Sequence, residues 1–164
     1  MEVYSGKGKL RPFKAVIESP GSHSSLFLRN LGTIEFPIHA SVAPCNEDGV
    51  GEPGMLPVSR GLYDMPIEKT LQGGSVYTYP LYPSVSSGHV YVTADGRPLN
   101  CKIELVQGPN AVKITMDLYT EDGLERPFYT VISTPGSANV IRIVNTASFE
   151  FPLQVVVEPF SVDD

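Results

Sequence analysis

The sequence predicts an all-β protein, a β-sandwich built from two pseudo-symmetric duplicated units with short strands and Pro-Gly turns. Three observations carry that expectation. Of 164 residues, 15 are Gly and 15 are Pro, while only 18% are charged, a balance that suits tight turns better than helices. Apolar residues alternate with period two, as in Val140-Ile141-Arg142-Ile143, the spacing of a half-buried strand. The chain also matches itself when slid by 115 positions, with 17 identities in 44 aligned pairs from Met1/Met116 to Pro44/Pro159. Chance at ordinary residue usage gives only about two or three.

The first copy reads as three strands. Phe13 to Glu18 comes first, then a turn at Pro20-Gly21, then Ser25 to Asn30, a short connection, and Phe36 to Val42. The second copy repeats them at Phe128 to Ser133, Val140 to Asn145 and Phe151 to Val157. Substitutions between copies keep the apolar character: Leu26 becomes Ile141, Leu28 becomes Ile143, Ile38 becomes Leu153 and Ala40 becomes Val155. Pro20-Gly21 and Pro135-Gly136 suit a type II turn, proline setting φ and glycine accepting the positive φ that follows. Pro37 and Pro152 lack a donor N–H and favour an edge or a strand start.

Between the copies, Cys45 to about Gly74 reads as a surface excursion opening on Gly49-Val50-Gly51-Glu52-Pro53-Gly54, and Tyr63 to Leu71 has room for one helical turn limited by Pro66. Strands follow at Ser75 to Leu81, Val90 to Thr93, Cys101 to Val106 and Ala111 to Tyr119, with turns at Ala94-Asp95-Gly96 and Gln107-Gly108-Pro109-Asn110. The expected organisation is a first β repeat at 1–44, a connecting segment with loop and strand at 45–89, and a second β repeat with its leading hairpin at 90–164, packed with the first as one body. The second copy has leading strands that the first lacks. At least one sheet edge is therefore expected to be open or filled by another chain.

Charge and composition exclude several functions. A net charge of −6 and a pI near 5.0 do not provide the basic face that nucleic acid needs. No stretch approaches the roughly 20 apolar residues of a membrane helix, so no membrane insertion is expected. Met1-Glu2-Val3-Tyr4 does not read as a signal peptide. Cys45 and Cys101 lie outside any Cys-X-X-Cys or Cys/His spacing. Two free thiols are expected, with a single bridge as the alternative.

Catalytic and ligand readings find little support. His23, His39 and His89 have no ligand partners at metal spacing, and neither a metal nor a cofactor is expected. His23 stands among serines, but the second copy has Ser137-Ala138-Asn139-Val140 there and no base, which favours a small polar turn. Glu35 and Glu150 recur at matching positions and would form an acid–base pair only if folding joined them; bonds to their own turns are the simpler reading. Gly6-Lys7-Gly8-Lys9 lacks the strand–loop–helix frame of a phosphate loop.

Candidate subunit-interface residues follow from charge and aromatic pattern. Lys7, Lys9 and Arg11 make a basic start, and Asp163 and Asp164, with nearby Phe160, end the chain in negative charge, an arrangement that would orient head-to-tail contacts. Tyr77, Tyr79 and Tyr82, interleaved with Pro80 and Pro83, are a candidate interface patch or sugar-stacking surface. Similar halves pairing heterologously repeat a contact without closing, which builds sheets or tubes. The alternative is a non-catalytic ligand-binding β-sandwich for carbohydrate or lipid.

The duplicated pattern Arg-Pro-Phe, Val-Ile, Pro-Gly-Ser, Asn and Glu-Phe-Pro, at 11 to 37 and again at 126 to 152, resembles the two related conserved regions of the diatom pyrenoid shell proteins (PyShell). The resemblance implies a chloroplast protein that self-assembles into a sheet enclosing the Rubisco matrix of the pyrenoid and supports CO2 fixation by limiting leakage. It implies no catalytic residues, and partners that are copies of the chain, with Rubisco or other pyrenoid proteins as further candidates. The family's plastid-targeting segment is absent from these residues, from which a mature or ordered core is expected.

Overall fold

A computed structural model describes residues 1–21, 23–44 and 69–163. Ten strands occur among them: β1 (Glu2–Ser5), β2 (Ala15–Ile17), β3 (Lys69–Leu71), β4 (Val76–Pro80), β5 (Val85–Thr93), β6 (Leu99–Gln107), β7 (Ala111–Thr120), β8 (Phe128–Ser133), β9 (Asn139–Asn145) and β10 (Leu153–Val162). They form two five-stranded antiparallel sheets, in the orders β1-β7-β6-β9-β4 and β2-β8-β5-β10-β3. No helix occurs among the described residues. The fold is all-β and sandwich-like, in keeping with the sequence.

Alternation explains which faces meet. Ile103 and Leu105 of β6, Ile114 and Met116 of β7, and Ile141 and Ile143 of β9 project from one sheet. They share a core with Val90 and Val92 of β5, Phe128 and Ile132 of β8, and Leu153, Val155 and Val157 of β10. The alternate residues of β6, β7 and β9 turn away from this core, as the pleat requires, while on β8 the opposite face is also covered, Tyr129 and Val131 packing with Val16 of β2. Glycines accept the positive φ that the turns require: 84° at Gly96, 68° at Gly108, 91° at Gly21 and 81° at Gly136. Buried polar side chains lock the connections. Thr134 Oγ1 donates to Val85 O at 2.8 Å, and Asn139 Nδ2 donates to Thr134 O at 3.0 Å.

The first copy enters both sheets by short strands. β1 lies against β7 with Glu2 opposite Asp117, and β2 lies against β8 with Ala15 opposite Thr130. In each pair the facing residues are 115 positions apart, the offset of the sequence repeat. Thr130 Oγ1 donates to Lys14 O at 2.6 Å beside the second of these points.

Beyond β2 the first copy departs from expectation. Ser25 to Asn30 and Phe36 to Val42, read as strands from their alternation, pair with no strand among the described residues and join neither sheet. Their counterparts in the second copy, β9 and β10, are each held on two sides, β9 by β6 and β4 and β10 by β5 and β3. No described strand flanks the first copy's segments in that way. Residues 23 to 44 thus form an exposed arm.

The connecting segment also differs. Lys69 to Leu71 is strand β3 rather than the end of a helical turn, and Leu71 is a core residue at 3% exposure. Its apolar side chain closes one end of the sandwich, so this stretch is not a surface excursion. The remainder of that reading, Cys45 through residue 68 with its Gly-rich opening, lies outside the described residues.

Candidate interaction edges

Among the described residues, each sheet ends on both sides in an edge strand paired only on its inner side. β1 and β2 close one side of the sandwich, β4 and β3 the other. Edge strands present backbone N–H and C=O groups that no ladder satisfies, the usual route to strand-by-strand association. On the first side, Tyr4 and Ile17 are exposed; on the second, Val76 is exposed.

The basic segment follows directly from β1. Gly6 N donates to Lys113 O at 2.9 Å, and both Leu10 N and Arg11 N donate to Lys7 O, at 2.9 and 2.8 Å, winding residues 6 to 11 into a compact turn at the β1 and β2 edge. Lys7 and Lys9 face solvent. Arg11 does not: it is 5% exposed, and its Nη2 donates to Gln107 Oε1 at 3.0 Å. Gln107 in turn donates from Nε2 to Pro135 O and Ser137 O, at 3.0 and 3.2 Å. Arg11 is thus an internal tie rather than a surface cation.

The acidic end lies toward the other side. Asp163 is exposed, its N donating to Ser84 O at 2.8 Å at the end of β10, the strand next to edge strand β3. Phe160 is half exposed and its ring lies 6.0 Å from that of His89. Asp164 lies outside the described residues.

The three tyrosines do not share a platform. Tyr77 and Tyr79 pack against the core from β4, their rings edge to face at 6.4 Å. Lys69 Nζ sits 5.1 Å from the Tyr77 ring centre, a cation–π contact across the β4 and β3 edge. Tyr82 stands alone beyond the end of β4, 79% exposed. Residue spacing placed these rings near one another; the strand end at Pro80 separates the last from the first two.

The other chemical groups are structural in their surroundings. His89 Nε2 lies 3.2 Å from Glu158 Oε2 across the β5–β10 ladder. Arg142 and Glu104 pair at 2.6 Å between β9 and β6. Glu35 sits on the arm, where a hydrogen bond to the Thr33 side chain lowers its pKa. The backbone carbonyl of Glu150 takes a bond from Arg97 Nη1. Cys101 is free and buried, and burial pushes its thiol pKa up to about 12; Cys45 lies outside the described residues. Among the described residues, no group of three or more His, Cys, Asp and Glu side chains is placed to hold a metal ion, and no helix is long and apolar enough to cross a membrane.

The feature that residue patterns could not reveal is the arm. Leu26, Phe27, Leu28, Leu31, Ile34, Phe36, Ile38 and Val42 are all exposed on it. Their alternation says which face is to be covered, not whether a neighbour stands ready to cover it.

The diatom pyrenoid shell protein family model matches residues 1–159, and the chain belongs to that family, whose description gives it a structural role in the pyrenoid. Comparison with curated proteins finds no match.

Proposed function

We propose that the chain is a non-catalytic building block that associates with its own copies into a sheet-like shell around the Rubisco matrix of the chloroplast pyrenoid, supporting CO2 concentration and fixation by limiting leakage. The observation that carries this reading is that, among the described residues, both sheets end in edge strands with no outer partner, β1 and β2 at one side and β4 and β3 at the other. Two different bare edges on one body favour a heterologous contact, which extends without closing. Lys7 and Lys9 beside one edge and Asp163 toward the other give that contact a direction. A chain with only 18% charged residues has a surface that costs less to desolvate against a copy of itself. In this reading 1–44 and 90–164 are the two related units and 45–89 joins them.

Negative-stain microscopy and sedimentation of the pure protein test the proposal. Extended sheets or tubes are the expected result. A chain that stays strictly monomeric at high concentration in several buffers overturns it.

A further inference from the structure

The arm at 23–44 keeps the shape of the β9–β10 connection without the strands that surround it. Asn30 Nδ2 donates to Phe36 O at 2.8 Å, as Asn145 Nδ2 donates to Phe151 O at 2.8 Å. Asn30 Oδ1 accepts from Gly32 N at 2.9 Å, as Asn145 Oδ1 accepts from Ala147 N at 3.0 Å. Phe36 N donates to Thr33 O at 3.0 Å, as Phe151 N donates to Ser148 O at 3.0 Å. Every one of these partners is 115 positions from its counterpart. The corner is built; the walls are not. Leu26, Leu28, Ile38 and Val42 are 48%, 60%, 57% and 64% exposed, whereas Ile141, Ile143, Leu153 and Val157 in the same positions are all 0% exposed.

One further pair, Gly8 and Gly123, reports the same vacancy from outside the arm. Gly123 needs its missing side chain, because a Cβ there would lie 2.7 Å from Ala94 Cβ and 3.0 Å from Leu99 Cβ, where β5 turns into β6. Gly8, its counterpart, has nothing within 4 Å of such an atom. Arg11 is buried on Gln107 of β6. Arg126, its counterpart, is exposed and reaches only its neighbour Glu125, at 3.4 Å. At Gly8 the contact absent from the first copy is one that Ala94 and Leu99, at the β5–β6 turn, supply in the second, while the arginines differ in the opposite sense, Arg11 being held by β6 and Arg126 not.

We propose that β1, β2 and the arm together form an acceptor for a four-strand polypeptide unit of the β3–β6 kind, residues 69–107 in this sequence. The β6-like strand would enter between β1 and arm residues 24–30, the β5-like strand between β2 and arm residues 38–44, and the β3- and β4-like strands would cover the outer side of the arm. This follows the order in which β7-β6-β9-β4 and β8-β5-β10-β3 are laid down in the second copy. The occupant is a partner polypeptide carrying such a unit and not residues 69–107 of an identical chain, which already flank that chain's own β9 and β10. Insertion satisfies four bare edges at once, those of β1 and β2 and those of the two arm segments. It leaves the outermost strands unpaired, so it is compatible with shell growth and does not depend on it.

The repeat itself supplies the test. Residue 115 precedes Met116, the counterpart of Met1, so fusing a second copy of residues 69–115 ahead of Met1 restores the order of strands around the first copy. Hydrogen exchange of arm amides 24–44 is followed in the monomeric fraction of the full chain and of the fusion. The expected result is slowing on the order of 100-fold in the fusion, with no slowing in the unfused chain. Gly8→Leu is expected to leave the unfused chain unchanged and to abolish arm protection in the fusion, since the added turn would meet the new side chain. As a second route, the 69–115 polypeptide added to the full chain is expected to protect the same amides. Arm amides that exchange alike with and without the added strands, by both routes, overturn the inference. So does protection that arises only when unfused chains assemble and the arm crosslinks to a neighbour's β3 and β4 edge, which makes an identical chain the occupant. A chain that forms no lattice but shows protection in the fusion overturns the shell reading alone.

Discussion

Arg11 and Gln107 are tied by a 3.0 Å hydrogen bond from the guanidinium to the side-chain carbonyl, in a position where Arg11 is almost wholly buried. The bond joins the turn after β1 to the end of β6, and Gln107 passes the link on to the 135–137 turn. A cation that the sequence offers to the surface is here a fastener between the first copy and the body of the sandwich.

Arg11→Ala is therefore expected to destabilise the fold. Loss of a buried, charge-assisted bond costs about 1.5–3 kcal/mol, and chemical denaturation of the monomer measures it. Arg126→Ala, at the counterpart position, is expected to change stability by less than about 0.5 kcal/mol, because its side chain is exposed.

Lys7→Glu with Lys9→Glu is expected to leave the unfolding midpoint unchanged, both side chains being exposed, while weakening association. Sedimentation velocity in low salt reads this directly. Added salt should reduce assembly of the parent protein in the same direction, since screening acts on exposed charge. Assembly unaffected by either change would remove the electrostatic part of the proposal.

Gly73→Ala should be among the more damaging small substitutions. A Cβ at Gly73 would overlap the backbone carbonyl of Ser148, so the β3–β4 turn and the β9–β10 connection would have to part. An overpacked site of this kind costs about 1–3 kcal/mol. Gly74→Ala alongside it separates the two causes: Gly74 has φ of +80° and open space around it, so its penalty is conformational.

Cys101 gives a pH dependence whose sign can be worked out. Its pKa in the folded protein is raised from 9.0 to about 12, first by burial and then by the charge of Asp117. Below pH 9 the thiol is protonated in both states and contributes no pH dependence. As pH rises from 9 toward 12 the unfolded chain loses the proton first, so folded stability falls. Cys101→Ser or Cys101→Ala should flatten that part of the stability profile. The thiol should also react with an aromatic disulfide reagent only after unfolding.

Much of the sandwich was legible because β6, β7 and β9 alternate closely enough to place their side chains. Ile141, Arg142 and Ile143 alone show which face of β9 is core. β1 and β3 escaped notice because four and three residues are too short for a period to register, and their strand character comes from neighbours far along the chain. The arm was legible as strand and is none, since Leu26 and Leu28 carry the pattern of Ile141 and Ile143 without the neighbours. Burial of Arg11 left no trace in the sequence, because composition cannot tell which of two repeated arginines faces a glutamine. The candidate interface residues were read from charge, and only folding shows that Lys7 and Lys9 follow edge strand β1 while Asp163 follows β10, the neighbour of edge strand β3.

The ladders β1–β7 and β2–β8 join positions more than a hundred residues apart in the chain. Strands with distant partners pay the entropy of closing a long loop before any hydrogen bond forms, which slows folding. During synthesis the first two strands leave the ribosome well before residues 111–133 exist, and they must wait with their edges bare. Timing of translation, and the chaperones that shield early strands, will therefore bear on whether this protein matures singly or is caught by its neighbours while still unfinished.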